Sequence, residues 1–579
     1  MSTIIHDLST SIPLNPIPPH EKFDQCVEMI QNYWDENPDL YRIVQLQKQE
    51  AELTGQNTKN ITAKPTIAAE KKTDTLFNQP LRGAKLRAKM QESHKAIHER
   101  TLALNAEITP RTQAYNRKSD YQSLAEEQTF RSEVVGAQIK AWRSLLPMLI
   151  KRFSKICDYR RPGSIKHKIT VLLIFGLFAF IFRLSSRREI NRELTGPVIF
   201  EHLQALFPEL DSIPHADTLA RLLEKTNPKE IESAHISLIK DLIGRKKFKH
   251  MLIHNCLPIT LDGTQKLYRD DLLQDEQWCE REVGKSAEGN KQQYIYALEA
   301  NITLKNGLTI PLMTEYLYRT NNVIEQAAGK QDSETTAFER LAERLKSYFP
   351  RLKMIFFMDA MFATQQTMGI IDKNNWEYII SLPKDKLKDL AKMLNSNKSR
   401  QMSIPNQPAY RKRKQAFYWQ NNIAYGYEWQ LTIHLVGCFE EYESVDHKTG
   451  EIIKCYSEHT WISSILININ NVHELLNLGA RKKELVEDSI NTEKNRGYHY
   501  KHAFSYNWNA MQGFHYLMRL AHAINALSEF TKKLKAYIKA LGCSATLKLC
   551  KETLFSPWLS VEWYKKHYFE TAQLRLQLE

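Results

Sequence analysis

Two apolar runs, Leu257-Pro-Ile-Thr-Leu-Asp-Gly-Thr264 and Lys353-Met-Ile-Phe-Phe-Met-Asp-Ala360, each deliver one carboxylate at the end of a stretch that a sheet would bury. An acid on the last residue of a strand stands where the sheet meets solvent, which is where metal and substrate chemistry sits. Alone, Asp262 before Gly263 reads as a turn-starting residue. The repetition in Asp359 turns attention to the pair.

The segments around these runs constrain the fold further. Tyr294 to Thr303 and Leu308 to Tyr318 flank a hairpin turn at Asn306-Gly307. Phe338, Leu341, Leu345 and Tyr348 share one helix face within Ser333 to Tyr348. After the Asp359 strand come a short helix, Gln366 to Lys373, and a strand, Trp376 to Leu382. The predicted fold class is α/β. The order strand, strand, strand, helix, strand, helix, strand fits a ribonuclease-H-like mixed sheet, whose first and fourth strands lie side by side and bring Asp262 and Asp359 to one sheet end.

The rest of the chain divides by composition. Residues 1–53 have helical spacing, 54–75 form a polar linker, and 76–250 are helical with many basic residues that suit DNA. The catalytic core is expected in two parts, 251–384 and 473–530. An inserted β-rich domain, 385–472, separates them, and 531–579 form a C-terminal helical region. The apolar run Ile169 to Phe182 falls short of the ~20 residues of a membrane span and is expected to be a buried helix. His215 and Asp217 are expected to cap and pack, with Asp217 or Thr218 capping the helix that follows.

A net charge of +14 favours a polyanionic partner, nucleic acid first and an acidic membrane surface second. The eight cysteines are scattered with no Cys-x-x-Cys pair, so reduced thiols in a cytosolic protein are expected. No secretory signal is expected at the start of the chain.

A third acid lies on the segment Arg481 to Asn495, which has helix-forming composition and stops before Gly497. Lys483, Glu487 and Lys494 there present base, acid, base on one face. With it the chain resembles the DDE-type insertion-sequence transposases that have a β-rich insertion between the second Asp and the Glu. The resemblance rests on Leu261-Asp-Gly-Thr264, Lys330-Gln-Asp-Ser-Glu334, Phe357-Met-Asp-Ala-Met-Phe-Ala363 and Arg481 through His502, and runs from about Glu133 to Leu527. The family's Glu followed by six residues and Lys falls on Glu487 and Lys494. Its Tyr-x-x-Arg-x-x-x-Glu element is changed, with Ala480 and Lys483 at the tyrosine and arginine positions, and Ala360 stands where relatives often have a second acid.

The resemblance implies that Asp262, Asp359 and Glu487 are catalytic and hold two Mg²⁺ ions, replaceable by Mn²⁺, ~4 Å apart. It implies nicking of element ends and transfer of the freed 3′-hydroxyl to target DNA. Lys494, Lys483 and Arg481 are the expected DNA contacts. Trp419, Trp429 and Trp461 are candidates for stacking a flipped base, although buried tryptophans usually serve the core. The implied partners are double-stranded DNA, as element terminal repeats and target, and a second copy on paired ends, in the bacterial cytoplasm near the nucleoid and without a membrane. A catalytically silent, transposase-derived DNA-binding regulator is the alternative, and a ribonuclease-H-fold nuclease that never joins strands is a third.

Overall fold

A computed structural model describes residues 83–103, 121–270, 277–283, 290–319, 332–382, 387–396, 402–403, 413–426, 430–570 and 572–576. The expected N-terminal segment 1–53 and linker 54–75 lie outside them. The chain divides into two compact units, Met1–Ala96 with Val445–Ile453, and Ile97–Ser444 with Lys454–Glu579. Within the smaller, Lys89, on helix α1 (Gly83–Ala103), pairs with Glu451 at 3.2 Å, and the Ser93 hydroxyl donates to the Gly450 carbonyl at 2.7 Å.

The larger unit begins with a helical layer. Helix α2 (Leu124–Phe153) is capped by Ser123, whose side chain accepts from the Glu126 amide, and has acids in its first turn and bases in its last, matching the helix dipole. Then come α3 (Ile169–Ile181), α4 (Arg187–Leu194), α5 (Pro197–Leu206), α6 (Ala216–Lys225) and α7 (Pro228–Gly244). Helix α3 is the expected apolar helix, buried almost throughout. Among the described residues no helix is long and apolar enough to cross a membrane. His215 caps α6 by accepting from the Asp217 amide, two positions ahead of Asp217, the nearer of the two expected caps.

The sheet follows, with β1 (Leu257–Arg269), β2 (Cys279–Val283), β3 (Asn290–Thr303), β4 (Thr309–Tyr316), helix α8 (Glu334–Tyr348), β5 (Met354–Met358), helix α9 (Gln365–Lys373) and β6 (Glu377–Ser381). Beyond α10 (Lys388–Ser396) come β7 (Met402–Ser403), β8 (Lys414–Tyr425), β9 (Leu431–Val445) and β10 (Ile452–Ser463). The order across is β2-β3-β1-β5-β6-β10-β9-β8-β7, with β4 also on β3. Strands β1, β5 and β6 are parallel, and β3 is antiparallel to β1. This is a mixed α/β architecture with a helical layer before it. The strands between the two parts of the core continue this sheet, because β10 pairs antiparallel with β6 from Trp461↔Ser381 to Ser463↔Ile379.

Strand β5 shows why the sheet is central. Met354, Phe356 and Met358 enter the large core shared with α8, while Ile355 and Phe357 enter a second core with Leu475 and Leu476. A strand buried on both faces reads as a continuous apolar run, as a parallel interior strand should. Five more helices follow among the described residues: α11 (Glu484–Asn495), α12 (Trp508–Glu529), α13 (Lys532–Leu541), α14 (Cys543–Leu554) and α15 (Val561–Phe569). All seven cysteines among the described residues are free thiols.

Candidate active site

Strands β1 and β5 pair in register from Leu257↔Met354 to Thr260↔Phe357. Continued two residues, that register sets Asp262 level with Asp359. Strand β5 ends at Met358, and Asp359 caps a 3₁₀ turn, Ala360–Phe362, with its backbone only, so its carboxylate is not spent on the cap. Strand β1 does not end at Asp262, as the sequence suggested. It continues to Arg269 because β3 pairs with it past the acid, Asp262 lying opposite Glu299. Asp262 is therefore inside one ladder and just beyond the end of the other, which leaves it half-buried.

The third acid arrives by a tighter route than a single helix. A π-helical turn, Glu474–Gly479, passes into a 3₁₀ turn, Ala480–Lys483, and only then into α11. Gly479 lies against the Phe357 ring, where a methyl group would overlap it. That close approach seats the turn beside the strand whose next residues are Met358 and Asp359. Lys483, nearly buried, donates a hydrogen bond to Asp359 and stands 3.4 Å from Glu487, which is exposed. Burial opposes the lysine charge, but Asp359, Asp262 and Glu487 outweigh it and hold the ammonium above its usual range.

Asp262 is pushed up to about 6, first by burial and then by the charges of Glu487, Asp359 and Glu334, with Lys483 acting against them. A concentration of carboxylates of this kind calls for a cation. The all-oxygen donor set of Asp262, Asp359 and Glu487 suits a hard divalent ion such as Mg²⁺ or Mn²⁺. Among the described residues no three donors already stand at metal-holding positions. Lys483 supplies positive charge among these acids, its ammonium between Asp359 and Glu487. The donor chemistry would fit such an ion.

Lys494 occupies the last turn of α11, half-buried, with its ammonium 5.9 Å from the centre of the Tyr500 ring. Burial and Lys501 lower its pKa, while Asp262 is the first of the acids that oppose the shift. Arg481 does not join this face. It is buried and ion-paired to Glu440 on β9, which Arg413 also holds at 2.5 Å, and its Nη1 lies 3.3 Å from His459. The expected DNA contact is thus a tie between the 3₁₀ turn and strand β9. Trp461 is buried and stacked on His459 at 5.9 Å, Trp419 packs on the second core, and Trp429 lies outside the described residues.

Two features escaped the sequence reading. Glu334, the first residue of α8, turns its carboxyl group against Gly263 and accepts from the Tyr296 hydroxyl at 2.8 Å. Behind the site, Arg519 of α12 joins Glu493 of α11 at 3.0 Å and Glu299 of β3 at 3.2 Å. Tyr500 donates to Glu299 at 2.8 Å, and His522 lies 2.7 Å from Glu493. The signal for this network was the single arginine of a helix that has no lysine.

Residues 150–239 match the family model described as DDE_Tnp_1-associated. The match covers the helical layer from the end of α2 into α7 and includes none of the site residues. It points to a transposase-related protein. No curated protein matches the chain.

Proposed function

We propose that the chain is a DDE-type DNA transposase that nicks the ends of a mobile element and joins the freed 3′-hydroxyl to target DNA. The observation that carries the reading is the convergence of Asp262, Asp359 and Glu487 around one lysine. The strand order β4-β3-β1-β5-β6, with only β3 running against the other four on that path, fits a ribonuclease-H-like core. The match in the helical layer supports a transposase-related protein, and the +14 charge suits a DNA partner.

In this reading Asp262, Asp359 and Glu487 hold Mg²⁺, or Mn²⁺ in its place. A bound divalent ion supplies the Lewis acidity that displacement at phosphorus needs. Lys483 exchanges Asp359 for a phosphate of the scissile strand, which neutralises that phosphate and frees the carboxylates together. Lys494 adds a second phosphate contact on the same side. In the first step water attacks a phosphodiester, forming one P–O bond and breaking another to release a 3′-hydroxyl. In the second that hydroxyl attacks a target phosphodiester, again exchanging one P–O bond for one. Two element ends must be handled together, so a homodimer on paired ends belongs to the proposal.

The test is strand cleavage by purified protein on a labelled duplex carrying the terminal inverted repeat of the flanking element, with Mg²⁺, comparing wild type with Asp359→Ala. A nick that needs both metal and Asp359 is expected. Binding of the duplex without cleavage in Mg²⁺ or Mn²⁺ would replace this reading with that of a DNA-binding regulator.

A further inference from the structure

Gly263 follows Asp262, and the space a side chain would take there is filled by the carboxyl group of Glu334. Glu334 opens α8, with Ser333 as the helix cap. An acid in the first turn satisfies the helix dipole equally well from solvent. This one instead turns inward, and Tyr296, which lies opposite Gln265 on β1, holds one of its oxygens at 2.8 Å. Its neighbours in charge are Asp262, Asp359 and Lys483. A half-buried carboxylate beside Asp262 and Asp359 is unfavourable unless cationic charge compensates it. Lys483 is shared among all these acids, one tyrosine hydroxyl carries no charge, and the chain gives up a side chain at Gly263 to admit the carboxyl group.

We propose that Glu334 is a fourth carboxylate ligand of the divalent-cation site, sharing with Asp262 the ion on the Gly263 side. The inference rests on the metal-dependent reading above. Tyr296 is then a positioning residue that aims the Glu334 carboxylate, and Gly263 is the space that lets it reach the ion. A fourth negative charge raises the preference for divalent over monovalent cations, because the gain scales with ionic charge.

Manganese binding to the full-length protein on a terminal-repeat duplex, counted from the free-ion electron paramagnetic resonance signal, tests this without relying on activity. Glu334→Gln keeps the size of the side chain and its acceptor for Tyr296, and removes only the charge. It is expected to weaken the affinity for one ion at least ~10-fold, the scale of losing a supporting group at a metal site. Gly263→Ala, which pushes the carboxyl group aside, should do the same, while the exposed Glu343→Gln on the same helix should bind like wild type. If Glu334→Gln binds manganese as wild type does, Glu334 serves only Tyr296 and the start of α8, and the inference falls alone. If wild type binds no manganese and Asp262→Asn changes nothing, the metal-dependent reading falls, and this inference with it.

Discussion

Arg519 and Glu493 form a buried ion pair at 3.0 Å, and Glu493 lies on the same helix as Glu487, nearly two turns further on. The other side of the same guanidinium donates to Asn301 at 2.9 Å and to the Ala300 carbonyl at 3.1 Å, with Glu299 beside it. One side chain therefore fixes α11 to β3, the strand that runs opposite Asp262. Burial pushes both carboxylates up, and Arg519, with the neighbouring histidines, more than offsets this and holds them ionised. Arg519→Met would leave two buried carboxylates without their counter-charge, at a cost of about 3–5 kcal/mol. Equilibrium unfolding in urea measures it. A loss below about 1 kcal/mol would mean that His515, His522 and Tyr500 carry the network unaided.

Lys483 is asked to serve two partners in turn. It clasps Asp359 and Glu487. In the proposed function it passes to a phosphate of the DNA. Lys483→Met should therefore reduce the slope of log binding constant against log salt by about 1, and lower cleavage roughly 10²-fold, as the loss of one preorganised charge contact does. Filter binding on the terminal repeat at several salt concentrations reads the first effect. An unchanged slope would show that the lysine never leaves the carboxylates.

How far the site was legible in the sequence differs from residue to residue. Asp262 and Asp359 were legible because an apolar run ending on an acid is a local pattern, and pairing in register converts two such runs into one site. Glu487 was legible through its spacing from Lys483 and Lys494. The length of β1 was not, since Asp262-Gly263 looks like a turn, and only the partner strand β3 carries the ladder onward to Arg269. That Arg481 turns inward was not legible, because its partner Glu440 lies on β9, far away in the sequence. Glu334 was within a noticed motif, but its inward turn depends on the space at Gly263, a contact between distant segments. Likewise β10 extends the main sheet through pairing with β6 that no local pattern announces.

Gly479 offers a test of how the turn before α11 is seated. Its backbone lies on the Phe357 ring, which is itself buried in the second core. Gly479→Ala adds a methyl group where no room exists, and overpacking of this kind costs about 1–3 kcal/mol. The strain should also displace Lys483, so the variant is expected to lose stability and cleavage together. Thermal unfolding alongside the nicking assay checks both. A variant of wild-type stability would show that Phe357 can swing aside at no cost.

The raised value of Asp262 fixes the sign of one pH effect. Its folded value is about 6, above the ordinary 3.8, because of burial and then the surrounding acids. Between these values the folded chain binds more protons than the unfolded chain, so this group makes stability fall as pH rises through the window. The deficit is complete above about pH 6 and absent below the unfolded value. Asp262→Asn removes it. In the absence of divalent ions the variant should melt above wild type at neutral pH, and the difference should shrink through pH 6 and disappear as the ordinary carboxylate value is reached. Adding Mg²⁺ should raise the melting temperature of wild type and reverse the order, since the ionised carboxylate is then compensated and the asparagine lacks the charge to bind the ion. Scanning calorimetry over that range, with and without Mg²⁺, gives the comparison. If the two proteins melt together at neutral pH without metal, Lys483 already neutralises Asp262 in full, and the site has no unmet demand for a cation.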